Sequence, residues 1–158
     1  MEGCGAAAQQ LLDEGCDRVL IVWDLFPPWR ESGERPCRHD DRQSILESLG
    51  QNVVDVSRVH LICIREEIEA WLLADGRALS RVLSKKTRSV RIVHERSPEE
   101  LRNPKKRLTR MFRRHSGQPY SDRIHAEQIV RALPDLNRIR RCPSFVRFAA
   151  KVVGRSPW

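Results

Sequence analysis

One uninterrupted apolar run constrains the fold of this chain more than any other feature. Residues 18–24 read RVLIVWD, with five consecutive apolar side chains before Asp24. The run is too short for a helix and lacks the alternation of a half-buried strand, so it predicts a strand buried on both faces of a parallel sheet. Ligands of open α/β sheets bind at the carboxyl ends of the strands, which makes Asp24 a candidate site residue. The alternative is that this aspartate only begins a turn.

A second apolar run, RVHLICI at residues 58–64, completes a β-α-β unit. The helix between the strands is predicted over 41–49, with Asp40 or Asp41 as its cap and Gly50 just after its end. Crossovers of this kind place the two strands parallel to each other. Both strands are therefore expected to end at the same edge of the sheet.

Three glutamates follow the second strand directly. A helix predicted over 65–75 has Glu66, Glu67 and Glu69 in its first turn. Carboxylates there favour the helix dipole, which is a purely structural reason for all three. Because this turn stands where the second strand ends, we expect Asp24 and Glu69 to lie close together. Carboxylate oxygens suit Mg²⁺ or Mn²⁺, which contact substrate phosphates, so all four carboxylates are candidate metal ligands.

Most of the remaining chain is expected to be helical. Proline, glycine and capping residues mark where these helices start and stop. Examples are Asp75-Gly76, the capping box at 97–100, and Asn103-Pro104. The predicted elements are helices over 5–15, 77–84, 103–115 and 122–133, a last helix from Cys142 to near Gly154, and a short strand over 89–94. A Pro-rich, charged loop is predicted over 27–41.

The net charge of +8 is distributed very unevenly along the chain. Residues 1–80 hold 8 basic and 15 acidic side chains, a net of −7, whereas residues 81–158 hold 21 and 6, a net of +15. This asymmetry favours an acidic site beside a basic binding surface; a solvated, arginine-rich helical surface is the alternative. The candidate phosphate-binding side chains lie on the predicted 103–115 helix: Lys105, Lys106, Arg107, Arg110, Arg113 and Arg114.

Composition and missing motifs exclude several classes of protein. No apolar run approaches the roughly 20 residues of a membrane span, and no signal peptide is apparent, so we expect a cytosolic protein without membrane contact. The five cysteines form no close pairs and support neither a disulfide framework nor a zinc site. GxGxxG, GxxxxGK[ST], GxSxG and HExxH are all missing from the sequence.

Five segments in order resemble one family. They are VLIVWD, EEIEAWLLAD, SPEELRNPKKRL, Pro119-Tyr120 with His125-Ala126, and RCPSFVRFA. Together they look like the small Toprim-like proteins of the DUF4276 domain family, over roughly residues 6–153. The resemblance implies one Toprim-like (Rossmann-like) α/β domain over 1–158: a small parallel sheet flanked by helices in an acidic half, 1–95, and a helical basic half, 96–158. It also implies Mg²⁺-dependent action on nucleic-acid phosphodiesters and a neighbouring ATPase in phage defence.

Two departures from the family pattern bear on catalysis. Toprim domains carry a glutamate after their first strand and a later Asp-x-Asp motif. Asp24 matches the first Asp of that motif, but Phe26 stands at the second position. Glu2-Gly3 open the chain with no strand before them, so either the true start lies upstream or this glutamate is lacking. Glu69 matches the glutamate of the family's EaW segment.

Two functions follow as expectations. The first is a Mg²⁺-dependent Toprim-like nuclease or phosphodiester-processing protein that acts on DNA or RNA, with an ATPase partner and with Asp24 and Glu69 as catalytic metal ligands. The alternative is a non-catalytic subunit that binds nucleic acid or a partner protein and whose metal site is degenerate.

Overall fold

A computed structural model describes residues 3–26 and 37–154, which form seven α-helices and two β-strands. The strands are β1 (Val19–Asp24) and β2 (Val59–Ile64). The helices are α1 (Cys4–Asp13), α2 (Arg38–Gln51), α3 (Glu69–Leu73), α4 (Gly76–Leu83), α5 (Pro104–Ser116), α6 (Glu127–Arg131) and α7 (Pro143–Val152). The predicted class, an α/β protein with a small parallel sheet flanked by helices, is confirmed.

The chain divides into two compact units. The first comprises Met1–Ile64 and Arg147–Trp158, and the second comprises Arg65–Val146. Each unit has its own hydrophobic core. The single domain expected from the sequence, with halves 1–95 and 96–158, stays a prediction.

The first unit is built on the predicted β-α-β arrangement. β1 and β2 pair in parallel from Val19 opposite Val59 to Asp24 opposite Ile64, so both strands end at the same edge. α1 packs on α2 where Gly5 meets Ser48: the Gly5 nitrogen donates to Ser48 Oγ at 3.1 Å, and a Cβ on Gly5 would lie 2.1 Å from the Ser48 carbonyl oxygen. Only a glycine allows this approach of the two helices.

The strands differ in burial. In β2, four of six residues are buried, as the apolar run predicts. In β1, Val19 is buried and the next five residues are half-buried. The expectation that the first strand is buried on both faces is therefore wrong for most of its length.

The second unit is almost entirely helical. Its core joins α3, α4, α5 and α6 through Leu73, Leu79, Leu108, Phe112 and Ile129, all of which are at most 2% exposed. Within α5, Leu108 and Phe112 stand four residues apart and therefore lie on the same face of the helix, which is the face that packs in this core. Gly117, with φ 81°, ends α5 as predicted.

Several element boundaries correct the sequence-based prediction. α2 begins at Arg38 and extends beyond Gly50, so Asp40 and Asp41 lie in its first turn rather than at its cap. The predicted 65–75 helix shortens to α3, with Glu66 and Glu67 before it. Asp75 does not close that helix but caps α4, its carboxylate accepting from the Arg77 nitrogen at 2.8 Å.

The third predicted strand is wrong. Residues 89–94 are not a strand. Two of their backbone donors bond instead to serines in and just after α4: Val90 nitrogen to Ser84 Oγ at 2.9 Å and Ile92 nitrogen to Ser80 Oγ at 2.8 Å. These serine hydroxyls therefore satisfy donors that a strand ladder would otherwise use.

Two further helix-start signals in the sequence, at 97–100 and at Asp122, correspond to shorter elements than expected. The predicted capping box is a 3₁₀ turn, Pro98–Glu100, in which Ser97 makes no side-chain cap. The predicted 122–133 helix becomes a π-helical turn, Asp122–Ala126, followed by α6. Residues 27–36 of the predicted loop, and Glu2, lie outside the described residues, while 38–41 belong to α2.

Candidate functional site

The strongest concentration of positive charge in the second unit surrounds α5. Asn103 and Pro104 begin this helix, and its apolar stripe of Leu108 and Phe112 is fixed in the core. Because one face is buried, the charged positions of the helix are turned outward. Five of its six predicted phosphate-binding side chains belong to exposed residues: Lys106, Arg107, Arg110, Arg113 and Arg114.

An open groove runs beside α5. It has a volume of about 600 Å³. We call it the α5 groove; its lining residues are Arg91, Ile92, Val93, His94, Glu95, Arg107, Arg110, Met111, Arg114 and His115. A second depression of about 420 Å³, the 85–88 groove, shares Arg114 and His115 with it. The rest of its lining is Lys85, Thr87, Arg88, Arg113, Ser116 and Gly117. Cationic side chains that line the two grooves therefore lie along most of the exposed length of α5.

Most of these cations are uncommitted to carboxylates. Arg107 pairs with Glu95, the acidic residue of the α5 groove. Across residues 3–26 and 37–154, no carboxylate lies within ion-pair distance of Arg91, Arg110 or Arg114. The groove therefore keeps a positive charge that an anionic ligand can neutralise.

His94 is a half-buried titratable member of the α5 groove. Partial burial lowers its pKa below the usual value of 6.5, and the positive charges of Arg138, Arg141 and Arg96 lower it further. The imidazole is consequently neutral at pH 7, and the positive charge of the groove comes from its arginines.

Lys105 has a different role from the other cations. Its backbone nitrogen donates to Glu67 Oε2 at 2.7 Å, and its Nζ lies 2.9 Å from Asp122 Oδ2 and 3.8 Å from Glu69 Oε1. The hydrogen bond to Asp122 raises the pKa of Lys105 despite partial burial, with help from Glu69. This ammonium is already paired with carboxylates of the protein, so its predicted role as a phosphate ligand is not supported by its surroundings.

Two of the three glutamates after β2, Glu67 and Glu69, contact Lys105, whereas Glu66 lies near the Asn103 backbone and Arg102. Glu67 and Glu69 are each only 4% exposed. Glu66 is half-buried, and burial raises its pKa, opposed by the Asn103 backbone and Arg102. Glu67 acts as a cap for α5, because Pro104 has no N–H and Asn103 makes no side-chain cap.

A buried tyrosine stands beside this group. Tyr120 is 7% exposed, and its hydroxyl has no hydrogen-bond partner in the described part of the chain. Burial raises its pKa, and the negative charges of Glu69, Asp122 and Glu67 raise it further. The phenol is therefore protonated at every physiological pH and is available as a donor.

Asp24 lies in the other unit. It ends β1 as predicted, half-buried and opposite Ile64 in the register. Its negative charge contributes in a minor way to the raised pKa of about 11 that burial gives the Cys63 thiol. Asp24 belongs to the first unit and Glu69 to the second, so their shared metal site stays a prediction.

The predicted metal ligands have suitable chemistry, but in the described part of the chain their surroundings do not form a metal-binding group. Carboxylate oxygens are suitable ligands for Mg²⁺ or Mn²⁺. Within residues 3–26 and 37–154, however, no three His, Cys, Asp or Glu side chains are arranged to hold a metal ion. A cation at Glu69 would also compete with the ammonium of Lys105, 3.8 Å away. Asp24 and Glu69 thus have the right chemistry, and Glu69 has a competing partner.

Sequence reasoning missed half of the α5 groove. Arg91, Val93 and His94 lie outside the helix that the charge pattern indicated. The available signal was the run of residues 89–94, which was assigned to a strand. That assignment gave no reason to place its side chains beside the cations of α5.

Fold and site together define a mixed α/β protein with a cation-lined groove in its helical unit. The chain belongs to the family described as a domain of unknown function, DUF4276, whose model matches residues 6–152. No curated protein and no solved structure matches the chain. In the described part of the chain, no helix combines the length and apolar character needed to cross a membrane.

Proposed function

We propose that this protein binds nucleic acid through its phosphate backbone, using the α5 groove. One observation carries the proposal: exposed arginines of α5 and of the 91–95 segment flank one groove, and three of them, Arg91, Arg110 and Arg114, have no carboxylate partner within the described residues. Each phosphate that such a cation neutralises releases counterions, which supplies most of the affinity in non-specific nucleic-acid binding. A cytosolic location and an ATPase partner, both expected from the sequence, belong to this proposal.

Charge reversal with a matched control tests this proposal. Fluorescence anisotropy with a labelled oligonucleotide would be measured between about 50 and about 200 mM salt. We expect the wild type to lose orders of magnitude in affinity over this range, and the triple variant Arg110→Glu, Arg113→Glu and Arg114→Glu to lose binding.

The control carries the same change of net charge elsewhere in the second unit. Arg123, Arg131 and Arg140 are exposed and line neither groove, so reversing them to Glu should weaken binding only slightly. Equal loss in both triple variants would show that net charge, rather than the groove, governs binding, and intact binding in the first would refute the proposal.

A second candidate is metal-dependent cleavage of the bound phosphodiester, as in phage-defence nucleases. The observation favouring it is chemical: Asp24 at the end of β1 and the buried Glu69 are carboxylates of the kind that hold Mg²⁺ or Mn²⁺, with Glu66 and Glu67 as further candidates. The metal would orient the phosphodiester and activate a water molecule. The chain's own arginines would hold the substrate.

Asp24→Asn separates this candidate from the binding-only function. The amide has nearly the same shape but lacks the charge that a cation needs, so metal-dependent cleavage should disappear while oligonucleotide binding persists. Cleavage of the oligonucleotide would be followed with Mg²⁺ and with Mn²⁺. Wild-type protein that binds but never cleaves would favour a non-catalytic subunit with a degenerate metal site.

A further inference from the structure

The α5 groove is lined by apolar as well as charged side chains. Val93 is 75% exposed, the highest exposure of any large apolar residue in the second unit. Ile92 and Met111, both half-buried, line the groove with it. Ile92, Val93 and Met111 together give the cation-lined groove an apolar strip, and a lining of this mixed kind suits a ligand with both charged and apolar parts.

The 91–95 segment that presents Val93 is held firmly in place. Ile92 nitrogen bonds to Ser80 Oγ at 2.8 Å, and Glu95 nitrogen bonds to the Leu73 carbonyl at 3.3 Å. Its backbone also lies directly on Gly76, where an added Cβ would be 2.3 Å from the Ile92 oxygen. The wall of the groove is therefore preorganised, which lowers the entropy cost of binding.

Duplex and single-stranded nucleic acids present different surfaces to such a groove. A duplex offers phosphates but keeps the faces of its bases stacked inside. A single strand offers the same phosphates together with unstacked bases, which pack on apolar side chains, on imidazole rings and on guanidinium planes. The α5 groove supplies all three kinds of surface, through Val93 and Met111, His94 and His115, and its arginines.

We propose that the α5 groove takes single-stranded nucleic acid, with phosphates on Arg91, Arg110 and Arg114 and unpaired bases over Val93 and Met111. This inference rests on the proposed nucleic-acid binding and names its substrate class. The groove volume of about 600 Å³ lies in the range of small-ligand pockets and accommodates a short stretch of strand. The 85–88 groove, which shares Arg114 and His115 with the α5 groove, extends the basic surface along which the nucleic-acid strand would continue.

Three probes of matched length, each of about 12 nucleotides, test the inference. They are a single-stranded oligonucleotide, its duplex with the complementary strand, and an abasic deoxyribose-phosphate strand. At one salt concentration we expect the single strand to bind about tenfold more tightly than either of the others. The abasic strand has the phosphates and the flexibility but no bases, so it isolates the contribution of the apolar strip.

The variant Val93→Ser tests the contact itself. It should weaken single-strand binding by about threefold or more and leave binding of the abasic strand unchanged, because only base packing is lost. The control is Val130→Ser, an equivalent change at a residue 53% exposed that lines neither groove, which should have no effect. Circular dichroism would confirm that both exposed-site variants keep the fold.

The outcomes separate this inference from the function on which it rests. Duplex binding as tight as single-strand binding, equal binding of the abasic strand, or an unaffected Val93→Ser variant would each overturn the single-strand assignment and leave backbone binding intact. Failure of all three probes to bind would overturn both.

Discussion

The carboxylate of Glu67 accepts a hydrogen bond of 2.7 Å from the backbone nitrogen of Lys105, 38 residues further along the chain. This contact joins the segment before α3 to the first turn of α5, the helix that carries the groove arginines. Glu67 is 4% exposed, so its carboxylate relies on the protein for its hydrogen-bond partners. The glutamate that sequence reasoning offered as a metal ligand thus has a capping role in the structure.

Glu67→Ala should lower the free energy of unfolding by about 0.5–2 kcal/mol, since it leaves the part-buried N–H of Lys105 without its capping acceptor. Glu67→Gln should cost less, because its amide oxygen can still accept the bond. Urea unfolding would measure both, with Glu100→Ala, at an exposed position, as the control. A Glu67→Ala variant as stable as the control would contradict the capping role.

Ser144 links two other buried groups in the second unit. Its hydroxyl accepts from Trp71 Nε1 at 2.8 Å and donates to Glu99, whose carboxylate also accepts from the Ser144 nitrogen at 3.0 Å. Ser144→Ala removes one partner from both the indole and the carboxylate, so we expect a loss of about 1–3 kcal/mol in thermal or urea unfolding. Ser97→Ala is the control, because Ser97 is exposed and its side chain caps no backbone group. Equal stability of the two variants would argue against the buried network.

Gly76 and Gly50 make a matched pair of helical glycines. An alanine Cβ at Gly76 would lie 2.3 Å from the Ile92 oxygen, whereas one at Gly50 would meet nothing within 4 Å. Gly50→Ala should therefore stabilise the protein by up to about 1 kcal/mol through helix propensity. Gly76→Ala should destabilise it by about 1–3 kcal/mol and displace the 91–95 segment.

Urea unfolding measures the stability of both glycine variants, and oligonucleotide anisotropy reports the groove. Weaker binding by Gly76→Ala at a temperature where it remains folded would show that the position of the segment matters for the groove. Stabilisation by both alanines would contradict the close packing of the 91–95 segment on α4.

The sequence was informative where local pattern and tertiary contact agree. β1 and β2 lie in apolar runs, the second broken only by His60, and α5 begins after Asn103 and ends before Gly117, so their positions follow from the chain itself. The 89–94 segment was assigned to a strand, but Ser80 of α4 and Ser84 just after it accept hydrogen bonds from its backbone. The local sequence of the segment cannot reveal these hydrogen bonds, because the accepting serine hydroxyls come from a different part of the chain.

The candidate site shows the same limit. Charge patterning located the arginines of α5 but could not say which of them are neutralised. Lys105 is adjacent to Lys106 in the sequence, yet its ammonium is engaged by Asp122 and Glu69. Arg91 and His94 join the groove only because the 91–95 segment packs beside α5. These facts depend on contacts between residues far apart in the chain, which a single sequence does not reveal.

The pH dependence of oligonucleotide binding should report on His94. Partial burial and the charges of Arg138, Arg141 and Arg96 hold its pKa below 6.5 in the free protein. A bound phosphate adds negative charge in the groove and raises that pKa, so the complex binds more protons than its free components. By linkage, affinity must then rise as the pH falls through the region near and below 6.5.

The measurement is anisotropy at constant ionic strength from about pH 7.5 to about pH 5.5, where histidines titrate. We expect tighter binding at the acid end and a shallower pH dependence in His94→Gln. His39→Gln, at an exposed position in the first unit, is the control and should behave as the wild type. Wild-type affinity that is flat across this range, or a His94→Gln profile identical to it, would show that His94 does not face the bound phosphates.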